Sequence, residues 1–176
     1  LRDNFEYAVS PRSDLEQLEQ MICRFTEEQF DALDLLAENH RVVFKGPAGT
    51  GKTLLAMEAT RRAVEDGKTV LLLCYNSLLG DWLKAKTSSY SDDSAQIRCS
   101  TFHSLLLEIA CEKAGKAAGN EYWRKELPVR ASDRLLDDKR PWPAYDMLVI
   151  DEAQDLLEDE YLDVLDLLVK GGLAGG

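Results

Sequence analysis

Two short stretches hold the side chains best suited to chemistry: GPAGTGKT, Gly46 to Thr53, and DEAQD, Asp151 to Asp155. In the first, Gly46 is followed, after four intervening residues, by Gly51, Lys52 and Thr53, which is the spacing of a P-loop. Glycine takes backbone angles closed to other residues and lets the chain approach a ligand closely. Successive N–H groups then form a nest for anionic oxygens. Gly46, Gly49, Thr50, Gly51, Lys52 and Thr53 are therefore the expected phosphate cradle, with Lys52 reaching the β- and γ-phosphates and the Thr53 hydroxyl ligating Mg²⁺. In the second stretch an apolar run ends abruptly in carboxylates. Asp151 would hold Mg²⁺ directly or through water, and Glu152 would orient and deprotonate the water that attacks a γ-phosphate. Each stretch has a plain alternative: a glycine-rich turn that matches by chance, and an acidic helix start favoured by the dipole.

The flanking segments must position these groups. RVVFK before the loop is a short β-branched run and predicts a buried strand, while TLLAMEATRRAVEDG after it has apolar residues at helical spacing and Gly67 as a stop. KTVLLLCY, QIRCS and YDMLVI read as further strands, the first and last apolar throughout, as in a parallel sheet covered on both faces. NSLLGDWLKAK, TFHSLLLEIACEKAG and EDEYLDVLDLLVK read as helices, the last ending at Gly171. Residues 13–24 predict an amphipathic helix, and Thr26 with Gln29 fits the capping box of a second one. Residues 116–144 break the rhythm with prolines and tryptophans and predict an insertion over the sheet, helical near Ser132 to Asp138. Strands alternating with helices give an α/β fold with right-handed crossovers, a P-loop NTPase with a parallel sheet flanked by helices and a short insertion before the strand that leads into Asp151. The expected organisation is a helical lead-in over 1–24 and one P-loop domain over 25–176.

Bulk properties bound this reading. A chain of 176 residues suits one domain with a proper core. The net charge of −11 makes the whole chain a poor polyanion scaffold, yet the charge is uneven. Residues 1–40 carry 3 basic and 10 acidic side chains, and residues 41–90 carry 8 basic and 4 acidic. That basic middle contains the phosphate loop, though ordinary surface variation explains it equally well. Cys23, Cys74, Cys99 and Cys111 form no CxxC pair, so a reducing, cytoplasmic setting is expected. No apolar run reaches the length needed to cross a bilayer, and no membrane partner is expected. Leu1 at the start and GGLAGG at the end read as cuts from something longer.

GPAGTGKT and DEAQD together resemble the P-loop and motif II of superfamily one helicases, on the UvrD/Rep-like side. FTEEQ resembles their Q motif, with Gln29 standing 17 positions before Gly46; CYNSLLGDWL resembles motif Ia and STFHSLL motif Ib. The resemblance runs from Phe25 to Asp155, is weakest in the insertion, and looks closest to helicase-like proteins with a nuclease-related domain upstream. It implies that Gln29 reads adenine, making ATP the nucleotide, and that Gln154 senses the γ-phosphate and passes its state to a nucleic-acid groove. It further implies that Tyr75, Asn76, Thr101, Phe102 and His103 line that groove. Plain readings stand beside these: Gln29 as a capping residue only, Tyr75 as a strand-end core residue, His103 as a satisfied histidine near a helix start.

The function expected from all this is ATP-dependent motor activity, with Mg²⁺-ATP hydrolysis coupled to movement on single-stranded DNA or RNA. By the resemblance, the motifs of a second RecA-like domain lie outside this chain, which alone should be poorly active. The alternative is an ATP-binding regulatory module without strand-unwinding activity. A P-loop kinase would need an acceptor pocket and a basic lid segment, which the sequence does not display.

Overall fold

The computed structural model describes residues 30–31, 33–34, 39–90, 96–113, 119–137 and 141–174. The helix predicted over 13–24, the capping box and Gln29 lie outside the described residues. The chain divides into two units, Leu1–Leu55 and Ala56–Gly176.

The second unit is built on a three-stranded parallel sheet, β1 (Val70–Cys74), β2 (Ile97–Thr101) and β3 (Met147–Ile150), in the order β2-β1-β3. The central strand pairs Val70 with Ile97 on one side and with Met147 on the other, and the register runs on to Cys74 with Thr101 and Leu73 with Ile150. All five residues of β1 are fully buried. An unbroken apolar run is what a strand covered on both faces requires, and its alternation sorts the two layers. Leu71 and Leu73 face a core with Phe102, Leu106, Leu127 and Leu165, whereas Val70, Leu72 and Cys74 face a smaller one with Val64, Leu83 and Val149.

Helices fill both layers. α1 (Lys52–Glu65) contributes Ala63 and Val64 to the smaller core, and α2 (Ser77–Thr87) contributes Leu83. A Cβ on Gly80 would stand 2.9 Å from Thr101 Cγ2 and 3.2 Å from Cys74 Sγ, so glycine there lets α2 lie close on the sheet. α3 (Phe102–Ala110), α4 (Leu127–Leu135) and α5 (Asp159–Leu168) cover the opposite face. Gly67 stops α1 as predicted. It takes φ +79°, its N–H donates to Val64 O at 2.9 Å, and the Lys68 N–H donates to Ala63 O at 2.9 Å, which together close a Schellman turn. Asp146 ties the start of the sheet together. It accepts from the Thr69 N–H at 2.9 Å, the Thr69 hydroxyl at 2.7 Å and Lys170 Nζ at 2.6 Å. The Lys170 ammonium, then the Thr69 donors, hold its carboxyl well below the usual carboxylate range. This α/β arrangement is the expected RecA-like P-loop fold. Among the described residues, no helix is long and apolar enough to cross a membrane.

Two segments depart from expectation. Residues 41–47 form no strand, and Val42 and Val43 are 38% and 76% exposed. β-branched residues favour extended backbone, but a strand exists only where a ladder takes up its N–H and C=O groups. In the segment predicted as an insertion over the sheet, the helix expected near Ser132 to Asp138 begins earlier and packs into the core. A π-helical turn (Tyr122–Glu126) runs directly into α4, whose Leu127, Pro128 and Ala131 are buried. The Leu127 N–H donates to Tyr122 O, five residues back. This wider turn comes just before Pro128, which has no N–H to donate back into it. Leu127, Ala131 and Leu135 supply the apolar stripe at intervals of four, a period hidden among the surrounding prolines and tryptophans.

Phe102 is fully buried and meets Tyr161 edge-on, with ring centroids 4.7 Å apart. Phe102→Ala should cost ~3–5 kcal/mol of stability, measured by denaturant unfolding. A loss below about 1 kcal/mol would mean the ring is not part of the packed core.

Candidate nucleotide and strand site

The phosphate loop belongs to the first unit. Gly49 and Gly51 both take φ +79°, a region closed to most side chains. At Gly49 an added Cβ would meet nothing within 4 Å, so backbone angle and not space demands glycine. At Gly46 an added Cβ would lie 2.9 Å from Thr50 Oγ1. The Thr50 hydroxyl donates to Pro47 O at 2.9 Å and fixes the turn. Lys52 Nζ donates to Pro47 O at 3.0 Å and Gly46 O at 3.1 Å, which lays its ammonium along the loop. The Leu55 N–H donates to Gly51 O at 3.0 Å, so helical bonding begins at the loop itself. The loop thus combines glycine-freed backbone, an ammonium and the positive end of a helix, a donor set that fits phosphate. In it Lys52 would neutralise phosphate charge and the Thr53 hydroxyl would ligate Mg²⁺, the ion that supplies charge neutralisation to a bound nucleotide.

In the second unit the acidic turn follows β3. The Asp151 N–H donates to Leu73 O at 2.9 Å and carries the ladder one residue past the strand, placing Asp151 at the carboxyl edge of the sheet. Asp151 is only 3% exposed, and its Oδ1 accepts from the Glu152 N–H at 3.1 Å. Burying a carboxylate is costly unless it is paired or used. Glu152 takes φ +57° and ψ 46°, the left-handed region, which a residue with a β-carbon enters at a cost. A short 3₁₀ turn (Ala153–Leu156) then plugs Leu156 into the core. Gln154 Nε2 donates to Glu152 Oε2 at 2.7 Å. Asp151 and Glu152 thus stand immediately before this 3₁₀ turn.

Beside this turn lies a groove of about 630 Å³. Tyr75 enters it from the end of β1 and His103 from the start of α3. Trp123 and Arg124 come from the π turn, Gln154 and Asp155 from the acidic turn, and Glu158 and Tyr161 from the start of α5. The His103 ring is the hub: its centroid is 5.2 Å from Tyr75, 5.1 Å from Trp123 and 6.1 Å from Tyr161, each edge-on. The Tyr161 hydroxyl lies 3.4 Å from His103 Nε2 and donates to Trp123 O at 3.2 Å. Gln154 joins the two features, because it lines the groove and bonds Glu152.

A protein-family model described as an AAA domain matches residues 24–173. The chain belongs to this AAA domain family. The AAA domain is a P-loop ATPase domain, which accords with the donor set of the loop and with an acidic turn at the sheet edge. No match was found among the curated proteins. Nor did any solved structure match this chain.

The groove residues expected from sequence divide within the AAA domain. Tyr75 and His103 line the groove. Phe102 does not: it is withdrawn fully into the core beneath, because the first turn of an amphipathic helix presents neighbouring side chains to different surroundings. Asn76 and Thr101 serve as helix caps. Asn76 Oδ1 accepts from the Leu78 and Leu79 N–H groups at 2.9 and 3.3 Å, and Thr101 Oγ1 from the Ser104 N–H at 3.3 Å. Trp123, Arg124, Glu158 and Tyr161 were not expected in the groove. Only the aromatic content of 116–144 hinted at the first, and Tyr161 reads in sequence as one more apolar helix position.

Burial pushes the His103 imidazole below its ordinary value of 6.5. The folded AAA domain therefore binds this proton less readily than the unfolded chain. The stability that depends on neutral His103 is present above 6.5 and is lost as pH falls below it, down to the depressed folded value. Unfolding midpoints measured from about pH 8 to about pH 5 should fall with acid, and His103→Gln should flatten that slope. An unchanged slope in the variant would assign the acid sensitivity to other groups.

Proposed function

We propose that this AAA domain is the ATP-driven motor of a helicase or translocase, coupling Mg²⁺-ATP hydrolysis to movement on single-stranded DNA or RNA. The carrying observation is that Gln154 bonds the candidate base Glu152 while lining an aromatic groove at the carboxyl ends of the strands. Stacking on aromatic side chains is the sequence-tolerant way to hold an unpaired strand. A residue that touches both the base and the strand path couples the two events.

In this reading Lys52 and the loop hold the phosphates, Thr53 and Asp151 serve the metal, and Glu152 activates water. Tyr75 and His103 contact the strand, and Gln29 selects adenine. The motif resemblance to superfamily one helicases supports the same assignment. The test is the ATPase rate of the full-length protein with and without single-stranded oligonucleotides of DNA and of RNA. A severalfold rise with strand supports the motor. Steady hydrolysis indifferent to strand, or ATP binding without turnover, would instead mark a regulatory nucleotide-binding module.

A further inference from the structure

We infer that the groove beside the acidic turn selects bases carrying an exocyclic amino group, with the Asp155 carboxylate as acceptor. This rests on reading the groove as a strand site. Its lining carries two carboxylates, Asp155 and Glu158, against one guanidinium, Arg124. Arg124 is already engaged: its Nε donates to Glu158 at 2.9 Å, and a second guanidinium nitrogen bonds the same carboxylate. The groove is therefore a poor seat for phosphate, whose charge the two carboxylates repel. A strand that reaches it must insert its bases and leave its backbone outside.

The walls suit that insertion. Tyr75, His103, Trp123 and Tyr161 supply aromatic surface, and His103 is held as the neutral ring by its burial. The polar end holds two carboxylates and the amides of Asn120 and Gln154. Glu158 is taken by Arg124 and Gln154 Nε2 by Glu152, whereas Asp155 is exposed and, among the described residues, accepts no hydrogen bond from a side chain. An ionised carboxylate can only accept. Cytosine, adenine and guanine each present an amino group to it, whereas thymine and uracil offer only an N3–H flanked by two carbonyl oxygens that the carboxylate repels. A carboxylate opposite a carbonyl is repulsive, so the discrimination runs against thymine and uracil.

Homopolymers of cytosine and of thymine contrast a base with the amino group and one without it, and both bases are single rings with similar stacking faces. Fluorescence anisotropy with the full-length protein, at one salt concentration, should show oligo(dC) bound about tenfold tighter than oligo(dT), and oligo(rC) likewise tighter than oligo(rU). Asp155→Asn and Asp155→Ala should bring the ratio towards one. A general electrostatic effect of losing the charge would strengthen both affinities together and leave the ratio alone. Trp123→Ala should weaken both polymers. Equal binding of the two polymers by the wild type, or a ratio unmoved by both Asp155 variants, overturns base selection and leaves the motor reading standing. No binding of any polymer, with no strand-stimulated turnover, overturns both.

Discussion

Glu152→Gln in the full-length protein is expected to bind Mg²⁺-ATP as the wild type does and to hydrolyse it slower by ~10²-fold or more, the scale of a lost general base. The substitution keeps size and shape, so the turn that holds residue 152 at φ +57° should persist. The hydrogen bond from Gln154 Nε2 can persist too, because glutamine retains one acceptor oxygen. What is lost is the basic oxygen that accepts the proton of an attacking water. Nucleotide binding should hold, since Lys52, Thr53 and the loop backbone supply its contacts. Single-turnover hydrolysis, measured beside nucleotide affinity, separates the two quantities. Turnover close to wild type would reduce Glu152 to a strained residue of the turn, with no part in proton transfer.

The parts of the fold legible in sequence were those in which a single segment carries its own explanation. VLLLC can only be a strand covered on both faces, and it is the centre of the sheet with every residue buried. Gly67 ends α1 because the Schellman turn needs a left-handed residue, and glycine enters that region freely. Polar Asp151 at the end of an apolar run signals the carboxyl edge of a parallel sheet, and the hydrogen bond to Leu73 O places it there.

What sequence left hidden depends on partners distant in the chain. RVVFK has the composition of a strand, yet residues 41–47 join no ladder. Phe102 and His103 are neighbours in one resemblance motif. The first packs under Tyr161 in the core and the second opens onto the groove, a division set by the helix phase and by what α5 lays against it. Trp123 and Tyr161 become groove walls only because a π turn and the start of α5 meet beside His103. The π turn comes just before Pro128, and no periodicity of apolar residues announces it. The groove is thus assembled from five separate segments, and no one of them would identify it.

The largest effect on binding is expected from Lys52→Ala, which should abolish productive nucleotide binding and leave the fold intact. In the structure the Lys52 ammonium spans two loop carbonyls, Gly46 O and Pro47 O. Such hydrogen bonds contribute about 1 kcal/mol each, so unfolding stability should fall by about 2 kcal/mol at most. Towards phosphate the balance differs. The ammonium is the point charge the loop offers, and its bonds to anionic oxygens are of the charge-assisted kind, roughly twice as strong as neutral ones. Losing them, with the accompanying Coulomb attraction, should weaken Mg²⁺-ATP by ~10²-fold or more, read by fluorescent-nucleotide titration. Lys52→Arg sharpens the test. A planar guanidinium keeps the charge but not the compact ammonium geometry, so it should restore affinity only in part. Full affinity in Lys52→Ala, with circular dichroism and unfolding showing an intact fold, would sink the assignment of Gly46 to Thr53 as the phosphate loop.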